Sequence, residues 1–445
     1  MRTAILALAV LGLAAGCGGE APQPAASAPA DPAHERVAQD WPLPATMPGS
    51  AMPDLVSVGG SRLLLSWIHS PPGRRPALQF SSYDPAGLRW ETAPVTIAVG
   101  ASMVVNWADT PHIQASHDGA LWVHWLQKTG ASPHAYDVML ATSRDGGRSW
   151  STPVRPHDDG TPTGHGFVSM WPQPGGGLGL AWLDGRNTAP AAASADDAQV
   201  ATGEAGGDAH GADHDGPAHA SAGAMALRAT GVDAGLRLAP GVEIDARVCD
   251  CCQTSAALTA RGPLLVYRGR SDGEVRDILA TRLDGEAWTR PAPVHADGWT
   301  TAACPVNGPA VAAQGDAAVV AWYTEAAGQP EVRIARSDDA GDHFAAPVVV
   351  DAGEAVLGRV AVALDEGQAW LLWLREEGEG QGLWLSRRSP DLAREYQRLR
   401  VATLDGRGRA TGFPKLALAA GVAHVVWTDV DRGAPVLRGA RIVAR

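Results

Sequence analysis

A short phrase recurs seven times along the chain: an aliphatic run closed by an aromatic residue, followed by a polar break. It reads Leu63-Leu64-Leu65-Ser66-Trp67, Leu121-Trp122-Val123-His124-Trp125, Leu178-Gly179-Leu180-Ala181-Trp182 and Leu264-Leu265-Val266-Tyr267. It returns as Ala318-Val319-Val320-Ala321-Trp322, Trp370-Leu371-Leu372-Trp373 and His424-Val425-Val426-Trp427. The closing aromatics at positions 67, 125, 182, 267, 322, 373 and 427 are separated by 58, 57, 85, 55, 51 and 54 residues. Units of this size, built from short apolar strands, cannot bury their faces alone and must stack on their neighbours. Four-stranded units stacked around an axis make an all-β protein, a β-propeller. The count predicts seven blades, or six if one phrase belongs to an irregular insertion.

Each unit parses as four strands, a to d, with the aromatic phrase on b. In the second unit, strand a falls near His112–Ser116, b at Leu121–Leu126, c at Asp137–Thr142, and d follows Trp150. The last unit ends after strand c at Pro435–Val443, so its outer strand is expected from the N-terminal segment around Trp41–Met47. Such a strand closes the ring with the N- and C-terminal segments in one sheet and leaves no open edge.

Between c and d of the second unit lies Ser143-Arg144-Asp145-Gly146-Gly147-Arg148-Ser149-Trp150, and Ser337-Asp338-Asp339-Ala340-Gly341-Asp342-His343-Phe344 repeats the pattern. Ser82 to Trp90 and Leu283 to Trp288 are degenerate copies. In such a turn, Ser and Asp accept backbone amides and Gly takes the left-handed position. The pattern is similar to the Asp-box, S-x-D-x-G-x-x-W, of sialidases and related propellers. It belongs on the face away from a ligand site, so these residues are read as structural.

The chain has 445 residues and a formal charge of −12, with Lys128 and Lys415 its only lysines. An acidic balance disfavours nucleic-acid binding, which needs a basic face. At the N-terminus, Arg2 precedes an apolar run from Ala4 to Ala15, too short to span a bilayer. It ends in Leu13-Ala14-Ala15-Gly16-Cys17, which resembles a bacterial lipobox, with Ala14 where Leu is commoner. The reading is a signal peptide over residues 1–16, a lipidated Cys17, and a flexible Ala/Pro-rich tether over 17–40. The propeller takes 41–445 and sits in the cell envelope, on its periplasmic or outer-membrane face. The 85-residue step holds an insertion at about 188–223, rich in Ala, Gly, Asp and His, whose composition packs no core. Its His210, His214 and His219 offer at most weak capture of a transition metal.

In a propeller the d-to-a connections and the b-to-c loops share one face, where ligands bind. Here they carry His157-Asp158-Asp159, His165-Gly166-Phe167, Arg247 to Thr254, Asp297-Gly298-Trp299, Cys304 to Pro309, Arg359, and the run Arg409 to Lys415. Apart from Cys17, every cysteine falls on two consecutive connections: Cys249, Cys251 and Cys252 on one, Cys304 on the next. Neighbouring blades bring the two within reach. Three outcomes stay open: a loop-to-loop disulfide suited to an oxidising compartment, a soft-metal site, or a redox thiol pair. A metal site would use thiolates, helped by His165 or His295, and favour Cu(I) or Zn.

A second cluster follows strand b of the fourth unit, from Tyr267 to Asp277, where Arg268, Arg270 and Arg276 surround the two acids Asp272 and Glu274. Guanidinium groups pair bidentately with carboxylates, so the turn is a candidate anion pocket. Asp184-Gly185-Arg186 stands at the matching place in the third unit.

From about residue 50 to 445, including Cys-Asp-Cys-Cys and Cys-Pro-Val-Asn-Gly-Pro, the chain resembles bacterial Asp-box proteins labelled exo-α-sialidase. That resemblance implies removal of terminal sialic acid by a Tyr nucleophile paired with Glu, an Asp acid/base, and arginines on the sugar carboxylate. Tyr267, Glu274 and Asp184 stand for the catalytic roles; Arg186, Arg268, Arg270, Arg276, Arg359 and Asn307 stand for the substrate. The motif set is not matched in full: no F/Y-R-I/L-P segment supplies the first arginine, and Tyr267 replaces a strand-b Trp. Two readings follow. One is a glycoside hydrolase or anionic-glycan binder that requires no cofactor. The other is a non-enzymatic envelope module with a Cu/Zn or disulfide-framed site. Partners are the membrane through the anchor, a glycan or small anionic ligand, and an envelope protein.

Overall fold

The computed structural model describes residues 34–44, 47–189 and 223–445. Cys17 and the insertion histidines 210, 214 and 219 lie outside the described residues. Seven antiparallel sheets follow one another in chain order, which makes a seven-bladed β-propeller. All seven aromatic phrases lie on strand b: Arg62–His69, Leu121–Lys128, Leu178–Asp184, Gly262–Arg268, Ala317–Thr324, Ala369–Glu377 and Val422–Asp431. Blade 2 has three strands, Ile113–Ala115, Leu121–Lys128 and Tyr136–Ser143, and its outer position is held by a single bridge from Leu140 to Val154.

The ring closes where first and last segments meet, but not on the expected residues. Arg36–Asp40, placed in the tether by sequence, pairs antiparallel with Ala434–Ala444, Arg36 opposite Ala444 and Asp40 opposite Ala440. Trp41 explains the shift from 41–47. It is 2% exposed, stacks on Trp90 at 5.2 Å and meets Tyr83 edge-on at 5.0 Å. The chain must therefore leave the outer edge at that point and turn toward the seam with blade 1.

Apolar clusters fill the seams between blades rather than one central core. Val319, Ala321 and Tyr323 of blade 5, for example, pack with Val362, Leu371 and Trp373 of blade 6. Each of three seams also carries a polar staple. The Tyr267 hydroxyl donates to Asp245 at 2.7 Å, Trp322 Nε1 to Asp297 at 2.7 Å, and Trp373 Nε1 to Asp351 at 2.7 Å. In every case a strand-b aromatic reaches an aspartate on or just after the outer strand of the preceding blade. Arg333 and Arg375 close on the same Asp297 and Asp351. Tyr267 is thus the fourth blade's version of the repeated Trp.

Strand a enters the upper face through a bulge in three blades. Met52, Phe167 and Arg359 have φ of 59°, 51° and 53°, a conformation that costs a non-glycine residue about 1–2 kcal/mol. Their N–H groups are held by side chains from other parts of the ring: Thr428 at 3.3 Å, Asp109 at 2.8 Å and Asn307 at 2.8 Å. On the opposite face, the turns at 143–150 and 337–344 carry one bond set. Gly147 N–H donates to Ser143 Oγ and Ser149 N–H to Asp145; Gly341 donates to Ser337 and His343 to Asp339.

Candidate functional site

On the upper face, the connection from blade 3 to blade 4 folds three sulfurs together. Cys249 Sγ lies 3.1 Å from Cys252 Sγ and 3.8 Å from Cys251 Sγ, and all three donor atoms fall within 4.8 Å of one another. They are buried, at 1%, 2% and 8% exposure respectively. Cys304 arrives from the next connection, exposed, its Sγ 3.9 Å from Asp250 Oδ1. Asp250, Cys251 and Cys304 make a second triplet within 4.8 Å. All four are free thiols. Hydrogen bonds from Cys251 and Cys252 hold Cys249 well below the usual thiol range, while burial pushes Cys252 up.

The arginine turn stands beside them, and its groups are largely taken. Glu274, at φ 60°, pairs with Arg270 at 2.9 Å and Arg276 at 2.7 Å. Arg276 has a side chain 1% exposed, yet among the described residues its Nη1 has no hydrogen-bond partner; the nearest carboxylate oxygen there, on Asp250, is 3.9 Å away. Arg268 spends its guanidinium on carbonyls: Asn307 at 3.0 and 2.8 Å, Arg276 at 2.6 Å and Tyr323 at 2.7 Å, with its face over Trp299 at 4.9 Å.

Several expected substrate contacts are therefore structural. Arg359 donates to Gly408 O, Thr411 Oγ1 and Gly412 O and covers Trp107 at 4.9 Å; burial lowers its pKa to about 10. Asn307 Oδ1 accepts from the Arg359 N–H, and its Nδ2 donates to Leu357 O. Neither Arg268, Arg359 nor Asn307 is presented to a ligand. The Tyr267–Glu274 pair does not form: Tyr267 is 0% exposed and bonded to Asp245, and Glu274 belongs to the arginines. Burial pushes the Tyr267 hydroxyl far above the phenol range, which suits a core residue and not a nucleophile.

Asp184 and His165 meet in a different cluster, at the seam of blades 2 and 3. Asp184 is 0% exposed and holds Arg186 at 2.8 and 2.9 Å and Trp182 Nε1 at 2.8 Å. Despite burial, those hydrogen bonds keep its carboxyl below the usual range, the wrong direction for a proton donor. Arg186 also reaches Asp159 at 3.3 Å and is not a free anion ligand. His165 does not join the cysteines. Its Nε2 faces Asp159 at 3.1 Å, its Nδ1 faces Thr163 O at 3.2 Å, and its ring stacks on His157 at 3.8 Å. Arg155 and Arg186 already offset the carboxylates of Asp137, Asp159 and Asp184, so the cluster reads as an inter-blade lock.

One pairing and one buried acid escaped sequence reasoning. The Tyr323 hydroxyl donates to Glu325 Oε1, and burial raises the phenol pKa. The available signal was alternation: in Trp322-Tyr323-Thr324-Glu325 every second residue shares a face, so Tyr323 and Glu325 are paired by register. Asp109 is 3% exposed, its Oδ2 has no partner among the described residues, and burial raises its carboxyl to about 7. Nearby, residues on strand a (Asp54, Lys415) or just before it (His112, Thr254) line an axial cavity of about 260 Å³.

No protein-family model matches the chain, and no curated protein matches it. Solved structures do. A polysaccharide lyase, a PL25 ulvan lyase, aligns at 11% identity with a TM-score of 0.50, over 91% of this chain and 94% of that one. A protein of unknown function from Dyadobacter fermentans aligns at 13% identity and TM-score 0.47, covering 92% and 98%. The NanB sialidase of Streptococcus pneumoniae aligns at 10% and 0.41, covering 88% and 68%. The ulvan lyase likeness speaks for the fold alone.

Proposed function

We propose that this protein is an exported, lipid-anchored envelope propeller whose upper face binds one soft metal ion through Cys249, Cys251 and Cys252. The convergence of three buried sulfurs within 4.8 Å, next to a buried guanidinium nitrogen lacking a partner among the described residues, carries the reading. Thiolates are soft donors and select Cu(I) first and Zn(II) next. A buried anionic thiolate set needs compensating charge, and Arg276 is placed to supply it. The hydrolase alternative loses Tyr267, Asp184, Arg268 and Arg359 to structural bonds. The Leu13 to Cys17 lipobox supports the anchor, and radiolabelled palmitate incorporation lost in Cys17→Ser tests it.

Elemental analysis of reduced protein titrated with Cu(I) or Zn(II) is expected to find one ion per chain. The double variant Cys251→Ser/Cys252→Ser is expected to hold none. Protein that leaves such a titration metal-free, with its thiol titre intact, defeats the proposal.

One contact favours a second reading, action on an anionic glycan: the Tyr323–Glu325 bond on the rim beside the carbonyl that Arg268 holds. It predicts release of methylumbelliferone from its sialoside, abolished by Tyr323→Phe. Inertness of the wild type removes it.

A further inference from the structure

Three thiolates saturate a trigonal Cu(I), so the fourth cysteine has no place in the buried set. The two donor triplets nevertheless share a member: Cys251 belongs both to the buried Cys249–Cys251–Cys252 group and to the outer Asp250–Cys251–Cys304 group. Cys251 is also the least buried of the inner three. Resting on the metal reading above, we infer that Cys304 is the entry ligand, on which Cu(I) docks with Cys251 before passing inward.

The outer group is built to hold an ion weakly. Asp250 is a hard donor, poorly matched to Cu(I), whereas the inner group is all sulfur. Its carboxylate is 44% exposed, and its contacts to Arg270 and Arg276 are 3.8 and 3.9 Å, longer than hydrogen bonds. Asp250 is thus loosely held and free to approach a cation at the surface. The inner sulfurs have no comparable exposure, so an ion reaches them through Cys251.

Transfer proceeds by ligand exchange without redox change. Cu(I) first bonds Cys304 and Cys251, each thiol releasing its proton to solvent. Bonds to Cys249 and Cys252 then form, with release of any proton either sulfur still carries, as the bond to Cys304 breaks and that sulfur regains a proton. Copper stays in the +1 state throughout, and the buried Arg276 offsets the negative charge left on the three inner sulfurs.

The test is anaerobic stopped-flow transfer from the coloured Cu(I)–bicinchoninate complex to full-length reduced protein. Wild type is expected to decolorise one equivalent. Cys304→Ser, an exposed substitution, is expected to reach the same one-equivalent endpoint about tenfold more slowly, because the outer soft donor is gone. Asp250→Asn is expected to slow loading less than Cys304→Ser does. Loading of Cys304→Ser at the wild-type rate overturns the route while leaving the metal centre standing. A lowered endpoint in that variant also overturns it, since Cys304 is then a permanent ligand. A wild type that takes up no copper defeats the centre itself, and the route with it.

Discussion

Asp109 illustrates how much one buried carboxyl can set. Phe167 N–H occupies its Oδ1, Oδ2 has no partner among the described residues, and burial raises its pKa from 3.8 to about 7. The folded protein therefore keeps its proton over a pH range in which the unfolded chain has lost it. Stability contributed this way is full below pH 4 and falls as pH rises toward 7, by roughly 4 kcal/mol at most. Asp109→Asn keeps the acceptor for Phe167 and cannot ionise. Denaturant midpoints measured from pH 4 to 8 are expected to show a variant increasingly more stable than wild type; parallel curves would refute this. None of it was legible in sequence, where Asp109 is one acid in a loop. The cysteines were legible because they are few and fall on two consecutive connections. The arginines misled for the opposite reason: Arg268 and Arg359 satisfy backbone carbonyls, a role that leaves no mark on residue type.

At the scale of the strand, the recurring aromatic was read correctly as a blade signature, but its partner was invisible. Asp245, Asp297 and Asp351 precede Tyr267, Trp322 and Trp373 by 22, 25 and 22 residues and meet them only across a seam. That pairing is why Tyr267 is a staple and not a nucleophile. Asp351→Ala leaves a buried indole N–H and Arg375 without their acceptor and is expected to cost about 2–4 kcal/mol. Urea unfolding would register it as a lower midpoint at unchanged slope. Asp338→Ala offers the control: that carboxylate is 76% exposed and bonded only to Arg336, so its loss is expected to cost under about 1 kcal/mol.

For the whole ring, closure by the chain's two ends followed from the missing seventh outer strand. The five-residue displacement to Arg36–Asp40 did not, because it depends on Trp41 docking against Tyr83 and Trp90. A chain beginning at residue 41 exposes the edge of Ala434–Ala444, and open edges recruit other strands. It is expected to melt lower and elute as aggregates in size-exclusion chromatography, whereas one beginning at residue 34 stays monomeric.

Arg36 pairs with Ala444, so strands from near the two ends of the described residues share one ladder. At about 5–20 residues per second, a ribosome needs roughly 20–80 seconds between the two strands, and for that interval the earlier blades stand as an unclosed arc. So late a keystone makes Ala434–Ala444 the step on which completion of the ring waits.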